Sequence, residues 1–419
     1  MTASTRAGAN AEALARLCAA DPVVVDVRPA AEVMPGYTRD LVLTSGAPLP
    51  WPEYTGGQRD AIIGGVLFEG LAATRQEAIA ALDAGEVRVG SCHDYGAVGS
   101  LAGIYTASMP VFAVHDRAHG NDAFCNFYEG KDPRRLNYGC YDEGVHERLL
   151  HVNTVYAPVV GEAIRRTGGI PLKPLIAKGL RMGDECHSRN SASSLLFTRE
   201  LLGAALDMAA EGPGLDAVRE TFLHIADNDY FFLRLSMAAS KAIADSIGGL
   251  PGSGVVSALA FSCKEFAIRV AGLGDEWFRG PPPAHEGKLF AGHDESEITW
   301  MGGESPITET VGLGGFAQAC ALSLQDYQGG SADSMIARNL EMYRITAGEN
   351  TVFKIPLFGF RGTPTGVDIF KVLEENVLPV MDVGLAGRDG GQIGAGVIRA
   401  PRECFERAAA RWLEVYPAS

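Results

Sequence analysis

The spacing of apolar and polar residues predicts both helices and strands in the N-terminal third of the chain. Residues 8–20 have the period of an amphipathic helix, and Val23–Val25 has the composition of a short buried strand. Residues 57–82 predict two helices, with Thr74 as the N-cap of the second. From residue 86 to 139, β-branched and aromatic residues stand between glycines, which is typical of strands and loops.

The middle of the chain has the period of helices. Between residues 142 and 248, apolar residues recur three and four positions apart. Glycines interrupt this pattern at residues 168–169, 212–214 and 248–249. The stretch therefore predicts several helices in succession and few strands.

The C-terminal part combines the two patterns. Strands are predicted at residues 255–260, 266–271 and 352–355, and helices at residues 316–322, 334–347 and 402–415. A chain of 419 residues is long for one hydrophobic core. We expect an α+β fold of two α/β domains, residues 1–140 and 250–419, with an inserted, mostly helical domain at residues 141–249.

Composition and charge exclude several classes of protein. Apolar residues make up 47% of the chain and charged residues 21%, which argues against disorder, collagen and coiled coil. The net charge is −15 and no cluster of Lys and Arg is longer than a pair, so we expect no nucleic-acid partner. We also expect a cytoplasmic protein, because the N-terminus lacks a signal-peptide core and the uncharged run at residues 95–114 is rich in Gly, Ser and Pro.

Metal and cofactor motifs are missing from the sequence. The eight cysteines are scattered without a C-x-x-C pair, so we predict neither a tightly bound metal nor a disulfide scaffold. There is no P-loop, no H-E-x-x-H, no G-x-S-x-G, and no G-x-G-x-x-G that opens a βαβ unit. Function must therefore be argued from looser groups of residues.

The densest polar cluster lies just before an apolar helical run in the middle of the chain. Glu185 and His187 supply an acid and a base, and Arg189 supplies a cation for an anionic substrate. A structural interpretation also applies, because Ser188 or Asn190 would serve as an ordinary helix N-cap. The residue types alone favour neither interpretation.

Cys92 and His93 form a second candidate, because they follow a predicted strand and strand ends often carry ligands. A thiol beside an imidazole suggests a nucleophile. Neighbours on an extended chain point to opposite sides, however, so the two groups would not pair directly. We therefore prefer a binding loop over a catalytic thiol.

Arg269 lies within an apolar strand, where a guanidinium must be paired or face a cavity. A structural salt bridge and an anion site both satisfy that requirement. We include Arg269 among the candidate anion-binding residues and leave the alternative open.

Two glycine-rich segments are candidates for binding an anion through backbone N–H groups. The first contains Thr308, Glu309, Gly312, Gly314 and Gly315, and the second contains Gln392, Gly394 and Gly396. Glycine is abundant, at 51 residues or about 12% of the chain against a typical ~7%. Each segment would equally serve as a plain turn of its own fold.

These segments, taken in order, resemble the YlbE-like family, which was long known as a domain of unknown function. The resemblance runs from about residue 20 to 410 and rests on residues 64–70, 92–93, 108–110, 126–130, 182–190, 272–278, 307–315 and 391–396. It implies two unusual α/β domains with a helical domain between them. It also implies an FdrA-like partner that is similar to the succinyl-CoA synthetase α subunit.

One branch of that family, the AllG-type subunit, is implicated in oxamate carbamoyltransferase activity during anaerobic allantoin breakdown, together with the FdrA-like partner and a third small subunit. The resemblance thus implies a subunit that acts on small ureido or carboxylate anions, with phosphate as co-substrate. No cofactor is firmly predicted, and the phosphate chemistry leaves room for a weakly bound Mg²⁺. We expect a homo-oligomer when the chain is isolated.

Two hypotheses of function follow. In the first, Glu185 and His187 act as acid and base, Arg189 and Arg269 clamp the anion, and the glycine segments bind phosphate or an oxyanion. In the second, the chain is a non-catalytic structural or ligand-sensing subunit and its partner carries the active site. Because the candidates come from four distant parts of the sequence, a shared site would lie between domains.

Overall fold

The computed structural model describes residues 6–211 and 214–417. In chain order the strands are β1 (Pro22–Pro29), β2 (Leu41–Thr44), β3 (Arg88–Ser91), β4 (Ala97–Val98), β5 (Pro110–Asp116), β6 (Asp122–Asn126), β7 (Ile170–Pro171), β8 (Val256–Phe261), β9 (Phe266–Val270), β10 (Phe278–Gly280), β11 (His285–Leu289), β12 (Ile298–Thr299), β13 (Thr346–Ile355), β14 (Arg361–Val367), β15 (Val380–Gly387) and β16 (Gln392–Arg399).

The α-helices are α1 (Arg6–Ala19), α2 (Ala30–Val33), α3 (Gly56–Phe68), α4 (Arg75–Asp83), α5 (Glu143–His151), α6 (Ala157–Thr167), α7 (Leu172–Arg181), α8 (Ser191–Glu211), α9 (Leu215–Ala226), α10 (Leu233–Asp245), α11 (Ile307–Thr310), α12 (Gln325–Gln328), α13 (Ala332–Met342), α14 (Ile369–Glu375) and α15 (Arg402–Val415). One π-helical turn, Val152–Tyr156, joins α5 to α6.

The fold is α+β, as predicted, and its N-terminal half is built around a sheet with the strand order β4-β6-β5-β1-β7. Strand β1 pairs antiparallel with β5 on one side and with β7 on the other. Strands β2 and β3 form a separate parallel pair. Because β7 lies beyond residue 141, the predicted helical region contributes an edge strand to the N-terminal sheet.

The C-terminal half contains two larger antiparallel sheets and a two-stranded ribbon. Their strand orders are β10-β9-β8, β11-β16-β15-β12 and β13-β14. Helix α15 packs on β9 and β10, with Phe405, Ala408 and Trp412 facing the core. The apolar positions of α15 therefore lie three and four residues apart, the spacing that predicted this helix.

Helix α10 connects the regions of the molecule. Residues 233–244 are all buried, and the helix contacts β5, β6 and α11. One hydrophobic cluster extends from Ala13 through α10 to Phe353 and so includes side chains from all three predicted domains. The predicted boundaries at residues 140 and 249 stay predictions, since both sides of each share this core.

Several predicted elements are confirmed with small shifts in their ends. The predicted helices at residues 8–20 and 402–415 are α1 and α15, and the two helices predicted within residues 57–82 are α3 and α4. Thr74 caps α4 in a capping box, because its hydroxyl accepts the N–H of Glu77 and the Glu77 carboxylate accepts the N–H of Thr74. The predicted interruption at residues 212–214 falls partly on residues 212–213, outside the described residues.

Two glycine-rich segments differ from their predicted structure. The helix predicted at residues 316–322 is a series of 3₁₀ turns, because buried side chains take its backbone groups: Asn339 accepts the N–H of Ala319 and donates to the carbonyl of Phe316. The segment that contains Gly394 and Gly396 is strand β16, whereas a turn was expected. A Cβ at Gly396 would lie 2.2 Å from the carbonyl oxygen of Glu286 on β11, so glycine permits the close approach of the strands.

Candidate functional site

A cleft opens where the three predicted regions of the chain meet. Its polar and aromatic lining comes from Tyr128, Arg135 and Tyr138, from His187, Tyr230 and Arg234, and from Tyr327 and Gln392. Of the predicted site residues, only His187 and Gln392 line this cavity, so the site expected between domains stays a prediction.

Arg234 lies in the first turn of α10 and is almost fully buried. Its Nη1 donates to the side-chain oxygen of Asn126 at 3.0 Å. The guanidinium carbon lies 5.4 Å from the ring centroid of Tyr128. Among the described residues no carboxylate forms an ion pair with Arg234, and its Nε is buried without a hydrogen-bond partner.

Arg135 enters the same cleft from the loop that precedes a 3₁₀ turn at Leu136–Tyr138. Its Nη1 donates to the Tyr128 hydroxyl at 2.8 Å and to the Gly130 carbonyl at 2.9 Å. The guanidinium stacks over the ring of Tyr138 at 4.5 Å. As with Arg234, Nε is buried and unpartnered, and no ion pair forms within the part of the chain that the structure describes.

Glu129 holds the Arg135 loop in place. Its carboxylate accepts the backbone N–H groups of Leu136 at 2.7 Å and Asn137 at 3.0 Å. The same carboxylate accepts a hydrogen bond from the Asn137 side chain. These contacts occupy the Glu129 oxygens, so the carboxylate orders the turn and leaves Arg135 without a counter-charge in contact.

His187 is the titratable group of the cleft with the most defined geometry. Its Nδ1 lies 2.8 Å from Oε1 of Glu309, and the two side chains are 5% and 0% exposed. Because a carboxylate only accepts, Nδ1 carries the proton and Nε2 is left as the second ring nitrogen. Burial lowers the pKa of His187, but the charge and hydrogen bond of Glu309 outweigh it and raise the pKa above its ordinary value.

A network of backbone donors fixes Glu309. Oε1 also accepts the N–H groups of Gly315 and Asp382, each at 3.0 Å, and Oε2 accepts the hydroxyl of Thr308 at 2.7 Å. These donors hold the carboxylate in place beside the imidazole. Asp382 itself is fully buried, and burial raises the pKa of Asp382 to about 6.

Side-chain hydroxyl and amide groups close one wall of the cleft. Tyr230 and Tyr327 are hydrogen-bonded through their hydroxyls, and the Gln392 amide donates to Tyr327. The Tyr138 hydroxyl donates to the Gln392 oxygen at 3.4 Å. These bonds link all three predicted regions and couple the shape of the cleft to their relative arrangement.

The Gly314–Gly315 turn lies beside His187, but its amides are already used. The N–H of Gly314 donates to the carbonyl of Glu185 at 2.9 Å, and that of Gly315 donates to Glu309. A Cβ at Gly314 would lie 2.3 Å from the Glu309 carboxylate and 3.0 Å from Cβ of His187. The turn was expected to bind phosphate, but its amides instead hold Glu309 and the loop of His187 in place.

Two members of the sequence cluster around His187 lie outside the cleft lining. The Glu185 carboxylate accepts the N–H groups of His187 and Arg189, and burial raises the pKa of Glu185 well above its ordinary range. The side chain of Arg189 is 38% exposed, and its Nε donates to the Gly183 carbonyl at 3.0 Å. Glu185 thus shapes the loop that presents His187.

Arg269 and the Cys92–His93 pair lie near each other but are not among the residues that line the cleft. The Arg269 guanidinium forms ion pairs with Asp94 and, at 3.5 Å, with Asp275. The ring nitrogens of His93 are buried without hydrogen-bond partners, and burial lowers the pKa of His93. These contacts correspond to the salt-bridge interpretation that the sequence left open for Arg269.

Gln392 is the residue of the second glycine segment that reaches the cleft. Gly394 lies in β16 against the Lys288 carbonyl, where a Cβ would approach to 2.7 Å. Gly312 has a φ of +90°, and a Cβ there would meet the Thr363 and Thr365 hydroxyls at 2.4 Å. These glycines permit close packing of the chain and do not face the cavity.

Sequence reasoning missed Arg135 and Arg234. Arg135 belongs to one of the Lys/Arg pairs counted in the charge argument, and Arg234 was not singled out. The placement of Arg234 at an otherwise buried position of α10 is the signal that was available, because a buried arginine needs a partner or a cavity. The reasoning that made Arg269 a candidate, a cation within an apolar segment, applies equally to Arg234.

Within the described residues, no group of three or more His, Cys, Asp or Glu side chains is arranged to hold a metal ion. The helices of residues 6–211 and 214–417 also include none with the length and apolar character needed to cross a membrane. The uncharged run at residues 95–114 contains β4 and the first part of β5.

The chain is similar to other proteins over nearly its whole length. A family model described as oxamate carbamoyltransferase subunit AllG matches residues 87–305. Two relatives come from Escherichia coli (strain K12). The uncharacterized protein YahG is 37% identical over 412 residues, which are 98% of this chain and 86% of that one. The oxamate carbamoyltransferase subunit AllG is 36% identical over 407 residues, which are 96% of each chain.

A solved structure has the same fold. The crystal structure of a conserved protein of unknown function from Enterococcus faecalis V583 superposes with a TM-score of 0.93 at 34% sequence identity. The superposition covers 97% of both chains, so the arrangement of elements described above extends across that protein.

Proposed function

This chain belongs to the family of the oxamate carbamoyltransferase subunit AllG, and on that premise we propose that it forms, with partner subunits, an enzyme that transfers a carbamoyl group between oxalurate and phosphate. The observation that carries the proposal is a cleft lined by the buried Arg234 and the partly buried Arg135, neither of which has a carboxylate partner among the described residues, and by a Glu-paired histidine. Oxalurate, oxamate and phosphate are all anions. The chain has a net charge of −15, so only a local concentration of positive charge can hold them.

Arg135 and Arg234 supply that positive charge. Guanidinium groups bind carboxylate and phosphate through paired N–H donors, and burial strengthens such bonds. Tyr128 and Tyr138 provide ring faces against which the arginines are held. In the proposed enzyme the arginines bind and orient the anionic ends of the substrates.

His187 moves the proton that the reaction requires. A phosphate oxygen forms a bond to the carbamoyl carbon of oxalurate, and the bond from that carbon to the oxamate nitrogen breaks, its electron pair staying on nitrogen. The phosphate hydroxyl loses one proton and the nitrogen gains one, so the products balance the substrates. Nε2 of His187 takes the first proton and delivers the second, while Glu309 keeps Nδ1 protonated.

We further propose that the partners are an FdrA-like subunit and a third small subunit, as the family resemblance implies. The domain limits proposed are residues 1–140, 141–249 and 250–419, with the cleft at their junction. All eight cysteines are free thiols, which suits a reducing cytoplasm. In the absence of the partners, we propose that the isolated chain forms a homo-oligomer.

The experiment is an assay of carbamoyl phosphate release from oxalurate and phosphate, run on the purified chain alone and with its partner subunits. We expect activity in the complex and a loss of about 10²-fold or more with His187→Gln, in line with the usual contribution of a general acid and base. Arg199→Gln, a change on the exposed face of α8, is the matched control. Full activity of a folded His187→Gln complex would assign the chemistry to a partner and leave this chain a structural or sensing role.

A further inference from the structure

We infer that the cleft binds two oxyanions at the same time, one on the outer edge of Arg135 and one on that of Arg234. This deepens the proposed function and rests on it for the identity of the anions. The consequence for the reaction is direct transfer within a ternary complex, in which phosphate attacks the bound carbamoyl donor without a covalent intermediate on the protein.

The two guanidinium groups share one pattern of used and unused nitrogens. In each, Nη1 is bound by protein, to Asn126 for Arg234 and to Tyr128 and Gly130 for Arg135. In each, Nε is buried and has no partner among the described residues. Nη2 is the remaining nitrogen, and no hydrogen bond joins Nη2 of Arg135 or Arg234 to the described residues.

An Nε–Nη2 edge matches the geometry of an oxyanion. The two N–H groups on that edge are parallel and accept two oxygens of one carboxylate or one phosphate. A buried donor without a partner destabilises the protein, so a ligand oxygen that reaches Nε would supply the missing hydrogen bond. Because each arginine has its own edge, the geometry provides two such sites.

The two guanidinium groups share one aromatic neighbour and line the same cleft. Both guanidinium carbons lie near the same Tyr128 ring, at 5.6 Å for Arg135 and 5.4 Å for Arg234. They come from separate elements, one from the loop after β6 and one from the start of α10. Two positive charges also offset part of the repulsion between phosphate and a carboxylate at that distance.

The cleft offers little to a covalent mechanism. The described residues that line it include no cysteine and no lysine. Ser188 lines it, but its Oγ accepts a hydrogen bond from the Gln328 amide and has no basic partner. The imidazole of His187 is hydrogen-bonded to Glu309 through Nδ1, so its Nε2 is the nitrogen placed to move protons between two bound reactants.

The test is isothermal titration of the purified full-length chain with inorganic phosphate, repeated at increasing fixed concentrations of oxamate. We expect the apparent Kd for phosphate to reach a plateau as oxamate saturates its own edge. A Kd that rises in proportion to oxamate without limit means that both compete for one site and overturns the inference. Absence of binding by either anion overturns it too.

Two conservative variants assign the edges. Arg135→Lys and Arg234→Lys keep the positive charge but lose the paired N–H edge. We expect each variant to raise the Kd of one anion by about tenfold or more and that of the other anion by less than about threefold. Arg199→Lys, on the surface of α8, is the control for the loss of an arginine. Equal weakening of the same anion by both variants contradicts the two-site arrangement.

The outcome separates this inference from the proposed function. If two anions bind together and the complete complex transfers no carbamoyl group, the proposed function fails while the two-site cleft stands. If the complex transfers the group but the anions compete for one site on the chain, the two-site cleft fails while the proposed function stands. Intersecting initial-rate lines for oxalurate and phosphate are expected for the complex, and parallel lines, which indicate a covalent intermediate, overturn the direct transfer.

Discussion

Oε1 of Glu309 lies 2.8 Å from Nδ1 of His187 and at the same time accepts the N–H groups of Gly315 and Asp382. The carboxylate thus makes three directed contacts from residues far apart in sequence. The imidazole is oriented before any substrate arrives, and its Nε2 is the nitrogen left to exchange protons with the cleft. This pair is the most testable feature of the proposed site.

The first prediction concerns Glu309→Gln. The amide removes the negative charge that raises the pKa of His187, so we expect that pKa to fall and carbamoyl transfer to drop about tenfold to a hundredfold, part of the ~10²–10⁴ usual for acid–base catalysis. Nitrogen NMR of the imidazole reports the pKa and the tautomer directly. Glu200→Gln on the exposed face of α8 is the control, and an unchanged His187 pKa contradicts the role given to Glu309.

The same variant has a predicted pH dependence of stability. A histidine whose pKa is raised by folding stabilises the protein below its unfolded pKa of ~6.5, and this contribution disappears as the pH rises through the raised value. The decrease in the free energy of unfolding caused by Glu309→Gln should therefore be largest below about pH 6.5. Urea unfolding of both proteins at several pH values measures the difference, which should narrow toward alkaline pH.

The third prediction separates a steric cost from a backbone cost at glycine. Gly314 and Gly359 have φ angles of +56° and +64°, so alanine is strained at both, by about 1 kcal/mol or more. A Cβ at Gly359 meets nothing within 4 Å, whereas one at Gly314 lies 2.3 Å from Glu309 Oε1. We expect Gly314→Ala to lose about 1–3 kcal/mol more than Gly359→Ala in chemical unfolding. Equal losses would show that the turn yields without disturbing Glu309.

Local periodicity predicted the elements that carry their own signal. Helix α15 has its core residues at helical spacing, and α4 has a capping box from Thr74 to Glu77, so both could be placed from the sequence. The 3₁₀ turns at residues 314–324 could not, because their backbone groups bond to side chains such as Asn339 that lie elsewhere in the chain. Such contacts override helix propensity and leave no local trace.

The candidate site was predictable in part for the same reason. His187 and Glu309 each stood out as polar residues in a motif, but their 2.8 Å contact joins residues 122 positions apart. Arg269 and Arg234 look alike in sequence, since each is one cation in an apolar segment. What distinguishes them is the presence of Asp94 beside one guanidinium and a cavity beside the other.

A further prediction concerns the thiols. Cys92 is fully buried, its Sγ lies 3.3 Å from the Gly103 carbonyl, and burial raises its pKa well above the ordinary value. We expect the native protein to react with iodoacetamide at the partly exposed Cys18 and Cys263 while Cys92 stays unmodified, as mass spectrometry of peptides would show. Rapid labelling of Cys92 without unfolding would support a nucleophilic thiol. The activity of Cys92→Ala would then test that role directly.

The last prediction starts from Glu304, which is fully buried and ties three segments together. Its Oε1 accepts the N–H of Gly46 at 3.0 Å and its Oε2 that of Gly99 at 2.7 Å. Despite these two donors, burial raises the pKa of Glu304 to about 8. In the unfolded chain the same carboxyl ionises near pH 4.3, so between these values the folded state holds a proton that the unfolded state releases.

The sign of the effect follows from that difference. Stability due to Glu304 is fully present below about pH 4.5, falls as the pH rises, and levels off above about pH 8. The expected slope is about 1 kcal/mol per pH unit inside the window. The amide of Glu304→Gln cannot titrate. It lowers the free energy of unfolding by an amount that does not depend on pH, because its N–H faces a backbone donor. Unfolding free energies at pH 5 to 9 should therefore converge for the two proteins as the pH rises, while Glu374→Gln, an exposed change of the same charge, leaves the wild-type slope in place. Parallel curves for the wild type and Glu304→Gln would mean that Glu304 is ionised in the fold, held so by the Gly46 and Gly99 amides.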